Sequence, residues 1–240
     1  ELDKDEEGNL YAAVHSGSRR LGSEVTEYYL SEGHKALKKK GISVPYELTY
    51  LDGALLEAYL HDAEVVQRFA KWNRNAILDE LARGMKWKVE ESLCVAHNYI
   101  EYSEGENAEC PKGEDAERFK GEIVLRKGAI SAKAGEPVVI PINMRDGILL
   151  GTGKGNADWN QSAPHGAGRK IRRDAVASKF TVCQFKSEMK GIYTSCMGKG
   201  TLDEAPFAYR GLDEIKERIG DSVEIKKRIC PVYNFKAGRW

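Results

Sequence analysis

The pattern of apolar and polar residues along the chain predicts amphipathic helices interspersed with short strands. Helical signals run from Leu21 to Lys40 and stop at Gly41. A short helix is predicted to begin at Asp52-Gly53, and a separate, longer one runs from His61 to about Gly84. In the longer helix, apolar residues recur at intervals of three and four, so one of its faces is expected to be buried.

Runs of β-branched and aromatic residues bounded by Gly, Pro, Asn and Asp predict the strands. The predicted strands are 9–14, 89–97, 122–125, 137–141, 148–150, 181–185 and 223–234. Two further short helices are predicted over 170–178 and 212–218, and a polar hairpin over 105–113. Because no repeat or low-complexity linker interrupts this order, the pattern indicates one α+β domain without an internal boundary.

Composition changes this picture in a few respects. Acidic and basic side chains balance at 37 each, so no global field attracts nucleic acid, and local basic patches would have to hold a polyanion. Five cysteines are scattered without a Cys-x-x-Cys pair, which argues for a reducing compartment. No apolar run approaches the roughly 20 residues that span a bilayer. We therefore expect a cytoplasmic protein that does not bind membranes.

The segment from Asn160 to Arg169 carries the most specific chemistry in the chain. His165 precedes Gly166-Ala167-Gly168, a run that allows a tight turn and can aim several N–H groups at one phosphate oxygen. Arg169 and Arg173 can donate to the same anion. A histidine beside such a cradle can attack phosphorus and carry the phosphoryl group covalently. The alternative is a Gly-rich turn with a chance histidine.

Two other histidines each lie where a predicted strand ends and a loop begins, His15 before Ser16-Gly17 and His97 before Asn98. Strand ends can hold ligands rigidly while leaving room for substrate. Two neutral imidazoles suit a divalent transition metal such as Mn²⁺ or Zn²⁺. From the residues alone, this pattern is compatible with a metal-dependent phosphohydrolase and with two hydrogen-bonded core histidines. Arg126-Lys127, at another strand end, fits a phosphate clamp and a plain surface equally well.

Taken in chain order, these segments resemble one family, the RtcB-type RNA ligases. The segments that carry the resemblance are His15-Ser16-Gly17-Ser18-Arg19, His97-Asn98, Arg126-Lys127-Gly128-Ala129, Ser162-Ala163-Pro164-His165-Gly166-Ala167-Gly168-Arg169 and Tyr233-Asn234-Phe235-Lys236. Several motifs in family order are far more specific than any one of them. The resemblance implies a single RtcB-like domain over 1–240, the C-terminal portion of the full family domain. Its mixed strands and helices would pack around a central cleft for metal and GTP.

The resemblance also implies an activity, which is to join RNA 2′,3′-cyclic phosphate or 3′-phosphate ends to 5′-hydroxyl ends. Such ligases use GTP and Mn²⁺ through a guanylylated histidine, which here would be His165. On this resemblance His15 and His97 would bind manganese. Contacts to the nucleotide would come from Glu1, Ser162, His165, Gly166, Ala167, Gly168 and Lys236, the last of these recognising guanine. Phosphate or RNA would be bound by Arg19, Lys127, Arg169 and Arg173.

The implied partners are RNA ends, such as tRNA halves, and an activating protein of the archease type. The family's metal site also takes an Asp and a Cys from an Asp-x-x-Cys segment and a His from a Gly-Asn-His segment, neither of which is present in this sequence. We therefore expect the chain to begin just inside a full-length ligase, with its metal absent or under-coordinated.

Two geometric expectations follow, together with two alternatives. His15, His97 and His165 are expected to face one cleft, and the Lys236 ammonium is expected to lie near the His165 loop. The first alternative is a truncated, catalytically impaired fragment that still binds guanine nucleotide or RNA ends. The second is the metal-dependent phosphohydrolase that uses His15 and His97.

Overall fold

The computed structural model of the protein describes residues 1–102 and 123–236. These residues form two compact units that alternate along the chain. The first, here called the sheet unit, comprises Glu1–Ala13, Val95–Asn98 and the described residues from Arg126 onward. The second, the helix unit, comprises Val14–Cys94 and the described residues within 99–125.

Strands account for most of the sheet unit, and two long helices account for most of the helix unit. The described strands are β1 (Leu2–Lys4), β2 (Leu10–Ala12), β3 (Asn98–Tyr102), β4 (Ile123–Lys127), β5 (Ala129–Ser131), β6 (Pro137–Asn143), β7 (Gly147–Gly153), β8 (Ser162–Pro164), β9 (Tyr193–Thr194) and β10 (Val223–Asn234). The described helices are α1 (Arg19–Lys39), α2 (Gly53–Met85), α3 (Arg173–Lys179), α4 (Val182–Glu188) and α5 (Leu212–Ile219). Short 3₁₀ turns occupy Tyr46–Leu48, Ala157–Trp159, Lys199–Glu204 and Pro206–Ala208.

Strand β10 organises the sheet unit because it pairs with three other strands. The main sheet has the order β2-β1-β10-β7-β6, and β9 also pairs with β10. The pairing is antiparallel with β1 and β7, as in Leu2 opposite Tyr233, and parallel with β9. Strands β5 and β8 form a separate antiparallel pair, and β3 and β4 form another two-stranded sheet.

Two apolar clusters form the core of the sheet unit. The first packs the inner faces of β6 and β7 against α5 and centres on Ile140, Leu149 and Ile219, each at most 1% exposed. The second gathers Val176 of α3 and Phe185 of α4, both 0% exposed. Burial of this apolar surface is the main favourable contribution to folding.

The helix unit is built on the packing of α1 against α2. Helix α1 buries Tyr29 and Leu37, and the Tyr29 hydroxyl donates a hydrogen bond to Asp62 Oδ2 of α2 at 2.7 Å. Helix α2 is 33 residues long and has no buried residue. Large apolar side chains on it, such as Trp72 at 67%, are well exposed. Among the described residues, no helix combines the length and the apolar content needed to cross a membrane.

The predicted α+β class is confirmed, and the strand predicted over 223–234 has the predicted bounds. The helix predicted over 212–218 is also present. The prediction of two helices beginning at Asp52 and His61 is wrong, since α2 runs unbroken from Gly53 to Met85. The reason is that Asp62 does not cap a helix terminus; its carboxylate accepts from Tyr29 in the neighbouring helix.

Two predicted strands are also wrong. Residues 89–97 form no strand; Val89 and Leu93 are 61% and 52% exposed, and the strand begins at Asn98. Residues 181–185 start helix α4, in which Thr181 and Gln184 form a capping box through reciprocal side-chain bonds. The predicted hairpin over 105–113 lies outside the described residues.

Candidate active site

His165 of the sheet unit lies directly after β8, beside the residue that precedes β5. The two strands pair with Ala129 opposite Pro164 and Ser131 opposite Ser162. This register places the His165 backbone next to Gly128, and the His165 N–H points at the Gly128 carbonyl at 3.5 Å. A two-stranded pair therefore fixes where the histidine leaves the sheet.

The His165 ring is oriented by a short hydrogen bond. Its Nδ1 lies 2.6 Å from the carbonyl oxygen of Gly128. A carbonyl oxygen can only accept, so Nδ1 carries the proton, and the lone pair of the neutral ring resides on Nε2. The histidine is half-buried. The contact with Gly128 therefore fixes the tautomer of this histidine.

Gly128 joins His165 to His97 through its backbone. Its N–H donates to the His97 carbonyl at 2.8 Å and to Asn98 Oδ1 at 3.0 Å, while its own carbonyl accepts from His165. The residue has φ +67°, and an added Cβ would lie 3.3 Å from Cε1 of His165. A side chain at this position would therefore be strained and would press on the ring.

The rings of His97 and His165 are in contact. Their centroids lie 4.6 Å apart with the planes inclined by 33°. The structure thus brings two of the three predicted site histidines together, and their roles stay a prediction. His15 belongs to the helix unit, so its place in the same cleft stays a prediction.

The loop after His165 is anchored by Ala167. Its N–H donates to the carbonyl of Pro141 at 3.1 Å, and the residue is 3% exposed. The sequence had predicted that amides of this turn point at a phosphate. The Ala167 N–H already has an acceptor within the fold, so that donor role falls to the amides of Gly166 and Gly168.

Arg169 lies in a network of oxygen acceptors. Its guanidinium donates to the Asp203 carbonyl at 2.6 Å, to Glu204 Oε1 at 2.9 Å and to the Tyr209 hydroxyl at 2.8 Å. Arg173 also reaches this network, with Nη1 2.9 Å from Glu204 Oε1 and 3.1 Å from Asp203 Oδ2. Both cations are thus partly neutralised by carboxylates, and their contacts to phosphate stay a prediction.

The pKa values in this network follow from the same contacts. Burial by itself would raise the pKa of Glu204, but the Tyr209 hydroxyl and the charges of Arg169 and Arg173 outweigh it, and the pKa is lowered. Burial and the bond to Glu204 raise the pKa of Tyr209. Tyr209 therefore stays a neutral donor, and Glu204 stays an ionised acceptor.

Ser162 and Lys127 flank the histidine turn. The Ser162 hydroxyl accepts from Arg126 Nε at 3.2 Å and donates to the Asn160 carbonyl at 2.9 Å. Arg126 is only 4% exposed, whereas Lys127 is exposed at the residue before Gly128. The structure thus makes Arg126 a positioning cation for the Ser162 strand and leaves Lys127 accessible to an anion.

His15 and Arg19 lie in the helix unit. The loop between them is held by α2, since Asn73 Nδ2 donates to Ser16 Oγ at 3.0 Å and Arg74 Nη1 donates to the Ser16 carbonyl at 3.1 Å. Arg19 begins α1 with φ +54° and is exposed. The hydrogen bonds that hold this loop therefore come from residues of the helix unit itself.

The predicted manganese site is not completed by the part of the chain that the structure describes. Within 1–102 and 123–236, no group of three or more His, Cys, Asp or Glu side chains lies where it could hold a metal ion. Two imidazoles alone fall short of the three or four protein ligands usual for such an ion. The roles of His15 and His97 as ligands stay a prediction.

Glu1 and Lys236, two of the predicted nucleotide contacts, both belong to the sheet unit. Glu1 pairs with Ala13 through its backbone nitrogen at 2.9 Å, and the Lys236 N–H donates to Cys196 Sγ at 3.1 Å. The positive charge of Lys236 lowers the pKa of Glu204, which also binds Arg169. The distance from the Lys236 ammonium to the His165 loop stays a prediction.

Sequence reasoning missed three residues that build this site, namely Gly128, Glu204 and Tyr209. Gly128 stood in a quoted motif but received no role. A signal for it was the glycine between two short β-forming runs, which is typical of a close backbone approach. Glu204 and Tyr209 lie in 3₁₀ turns and an extended link, where periodicity gives no signal.

Two adjacent histidines, one of them with a fixed tautomer, are compatible with an enzyme that transfers a group through an imidazole. The family model described as tRNA-splicing ligase RtcB matches residues 2–237. The chain belongs to the RtcB family.

Curated relatives agree with this assignment. The RNA-splicing ligase RtcB of Escherichia coli K12 is 27% identical over 242 residues, covering 94% of this chain and 55% of that protein. The tRNA-splicing ligase RtcB of Aeropyrum pernix is 31% identical over 241 residues, covering 88% of this chain and 48% of that protein. The corresponding Archaeoglobus fulgidus ligase is 30% identical over 246 residues, covering 88% and 48%. The chain thus spans about half the length of the curated relatives it matches.

Proposed function

We propose that this chain carries the nucleotidyl-accepting part of an RNA ligase that joins 2′,3′-cyclic phosphate or 3′-phosphate ends to 5′-hydroxyl ends. In this reaction GTP donates GMP to His165, and the GMP then activates the RNA 3′-phosphate. Membership of the RtcB family and the names of its relatives support ligation of RNA. The GTP-dependent chemistry is proposed from the resemblance of the His165 and Lys236 segments to this family.

The observation that carries the proposal is the bond between His165 Nδ1 and the Gly128 carbonyl at 2.6 Å. It leaves Nε2 with the lone pair, so Nε2 attacks the α-phosphorus of GTP and pyrophosphate leaves as the P–N bond forms. The ring gains positive charge in this step. The Gly128 carbonyl stabilises that charge through the proton on Nδ1.

The remaining steps transfer the GMP and close the RNA. Water first opens a cyclic phosphate to a 3′-phosphate. An oxygen of that 3′-phosphate attacks the GMP phosphorus and the P–N bond breaks, which returns the electron pair to Nε2. The 5′-hydroxyl then attacks the activated 3′-phosphate, loses its proton and releases GMP. The proposed phosphate contacts in these steps are Arg19, Lys127, Arg169 and Arg173.

The guanine base is proposed to be read by Glu1 and Lys236. Guanine presents N–H donors on one edge, which suit a carboxylate, and a carbonyl acceptor, which suits an ammonium. Ser162, Gly166, Ala167 and Gly168 are the proposed neighbours of the phosphate and ribose. Adenine offers the opposite pattern at the corresponding positions, so a Glu and Lys pair favours GTP over ATP.

Manganese is proposed as the cofactor, with His15 and His97 among its ligands. When bound, such an ion would neutralise phosphate charge. The described residues do not complete its ligand set. For the same reason a second function has support, which is a fragment that binds guanine nucleotide or RNA ends without catalysis. The partners proposed for the active ligase are broken RNA or tRNA halves and an archease-type activator.

Covalent labelling tests the proposal. The chain is incubated with GTP labelled at the α-phosphorus and Mn²⁺, then denatured and separated on a gel. We expect label on the protein that is stable to alkali and labile to acid, as a P–N bond requires. Label should be absent with ATP. His165→Ala should abolish it, and the matched control His61→Ala, at an exposed position in α2, should keep it.

The possible outcomes separate the candidate functions. Label retained in His165→Ala would contradict the nucleophile assignment. GTP binding without covalent label would favour the binding fragment. Release of phosphate from a model substrate, lost in His15→Ala and His97→Ala but kept in His165→Ala, would favour the phosphohydrolase.

A further inference from the structure

Asp3 in strand β1 is a buried carboxyl group that the proposed function does not use. Its side chain is 0% exposed. No N–H or O–H group of the described residues donates a hydrogen bond to either of its carboxylate oxygens. An ionised carboxylate in such surroundings is strongly unfavourable, and proteins usually pair it or neutralise it by protonation.

Glu1 is the neighbour that matters for Asp3. Glu1 directly precedes β1, two residues before Asp3, and its charge and a side-chain hydrogen bond with it raise the pKa of Asp3, so the two carboxyl groups adjoin. Glu1 Oε1 is also buried and receives no hydrogen bond from the described N–H and O–H groups. Asn234 follows Tyr233, the residue paired with Leu2. Its Oδ1 is also buried and receives no hydrogen bond from the described N–H and O–H groups, while its Nδ2 donates to the Met144 carbonyl at 2.8 Å. The site therefore contains several acceptors and too few donors.

The missing donor is most simply a proton on one carboxyl group. Two carboxylates repel each other, but a carboxylic acid next to a carboxylate forms a strong O–H···O⁻ hydrogen bond. We propose that Asp3 holds this proton and donates it to the Glu1 carboxylate, so that Asp3 is a positioning residue for the guanine-reading group. This inference rests on the proposed function, because it assumes that Glu1 reads guanine.

The electrostatics of the pair agree with this assignment. Burial, the negative charge of Glu1 and a hydrogen bond to Glu1 raise the pKa of Asp3 from 3.8 to about 8, against the opposing charge of Lys236. Farther along the same face, Asp5 already accepts from Tyr11 at 2.8 Å and from Lys227 at 3.0 Å. The Asp5 carboxylate is therefore stabilised by its own hydrogen-bond donors, and Glu1 is the acceptor proposed for the Asp3 proton.

The shared proton has a consequence for guanine recognition. While Asp3 is protonated, one oxygen of Glu1 is fixed by its hydrogen bond and the other is free to face guanine N–H donors. As the pH rises through about 8, Asp3 ionises, the hydrogen bond is lost and two like charges adjoin. The preference for GTP over ATP should therefore fall across this pH range.

Two variants separate a positioning role from a purely structural one. Asp3→Asn keeps a neutral donor that cannot titrate, and Asp3→Leu keeps the volume but has no donor. In the parent chain, the ratio of ATP to GTP dissociation constants should fall about tenfold between about pH 6 and 9, which matches the loss of one hydrogen bond to a charged group. Asp3→Asn should keep a high ratio at both pH values, and Asp3→Leu a low ratio at both. Because the Asn variant retains every other titrating group, it controls for them.

A measurement without nucleotide tests the proton itself. The infrared carbonyl band of a protonated buried carboxyl should be present in the parent chain at about pH 6, disappear above the Asp3 pKa of about 8 and be absent from both variants. Circular dichroism checks that the variants fold. If the band is absent from the parent at about pH 6, for instance because a bound cation replaces the proton, the proposal is overturned.

The nucleotide results can fail in two distinguishable ways. If the band is present but both variants show the parent's GTP preference at every pH, Asp3 does not position Glu1 and the inference is overturned. If the band is present and the parent binds GTP and ATP equally, the guanine assignment of Glu1 is wrong and the inference loses its basis.

Discussion

The two units of the molecule are stabilised in different ways. The sheet unit has a dense core, in which Ile140 and Phe185 are 0% exposed. In the helix unit α1 buries three residues and α2 buries none, although α2 is the longest helix described. The groups that hold the candidate site residues differ between the units in the same way. The bond that orients His165 comes from a backbone carbonyl next to a buried strand, whereas the loop of His15 is held by polar side chains of a half-exposed helix.

This comparison indicates why the nucleophile is proposed on strands. A group-transfer residue must hold its geometry within a fraction of an ångström, and backbone atoms of packed strands supply that rigidity. Because α2 buries no residue, the helix unit is expected to open locally at a lower free energy than the sheet unit.

The largest expected effect concerns the core. Phe185→Ala, in the second cluster of the sheet unit, should lower the free energy of unfolding by about 3–5 kcal/mol because it opens a cavity in a closed core. The matched change Phe69→Ala, at a side chain 40% exposed in α2, should cost about 1 kcal/mol or less. Urea unfolding followed by circular dichroism measures both. Equal losses would show that the two units are stabilised alike.

A second pair of variants compares glycines with left-handed backbones. Gly128 and Gly41 have φ +67° and +75°. An alanine should cost about 1–2 kcal/mol at either position through backbone strain. At Gly128 the new Cβ also presses on the His165 ring, whereas at Gly41 it meets no atom within 4 Å.

Gly128→Ala should therefore reduce labelling by GTP at least tenfold, and Gly41→Ala should leave it unchanged once the loss of folded protein is corrected for. Labelling yield at equal folded concentration is the measurement. Full labelling of Gly128→Ala would contradict the role given to the Gly128 carbonyl.

The units should also respond to pH in opposite directions. In the helix unit, hydrogen bonds from Tyr29 and His61 lower the pKa of Asp62 below its usual 3.8, so this stabilisation is present above that value and is lost as the pH falls. In the sheet unit, the raised pKa of Asp3 gives a stabilisation that is full below 3.8 and is lost as the pH rises to about 8. Asp62→Asn should flatten the acid side of the stability profile, and Asp3→Asn the neutral side.

Urea unfolding between about pH 3 and 9 records both profiles. Because Asp62 is partly exposed, its effect should be the smaller of the two. An Asp3→Asn profile parallel to that of the parent throughout would remove the contrast between the units.

The smallest effect should come from a surface ion pair on α1. Arg20 Nε lies 2.6 Å from Glu24 Oε1, but the side chains are 89% and 57% exposed. Solvent and salt screen such a pair, so Arg20→Ala should change stability by at most about 0.5 kcal/mol. Thermal melts at low and high salt measure it. A loss well above this value would show that α1 depends on surface charges more than its packing indicates.

The fold could be predicted from the sequence where one physical signal dominated. Residues 223–234 alternate and pack on both sides, and their strand has the predicted bounds. Residues 181–185 have β-branched and aromatic residues, yet the Thr181 and Gln184 capping box starts a helix there. The apolar residues of 89–97 lack a pairing strand, which only tertiary structure reveals.

The site could be predicted only in part for the same reason. His97 and His165 carried recognisable motifs, and the structure brings their rings together. Asp3 carried no motif, because its importance comes from burial beside Glu1. Glu204 and Tyr209 act through contacts with Arg169 that connect segments about 35–40 positions apart, and no local pattern encodes such contacts.

The position of β10 in the sheet has a consequence for synthesis on the ribosome. Leu2 pairs with Tyr233, and β7 is completed by the same strand, so β1 and β7 lack their common neighbour until β10 emerges. The α1–α2 hairpin can form as soon as Met85 leaves the exit tunnel, on the order of ten seconds earlier at ordinary elongation rates. Nascent chains therefore carry a folded helical hairpin beside an incomplete sheet with open edges. Open strand edges of this kind favour aggregation until β10 pairs with them.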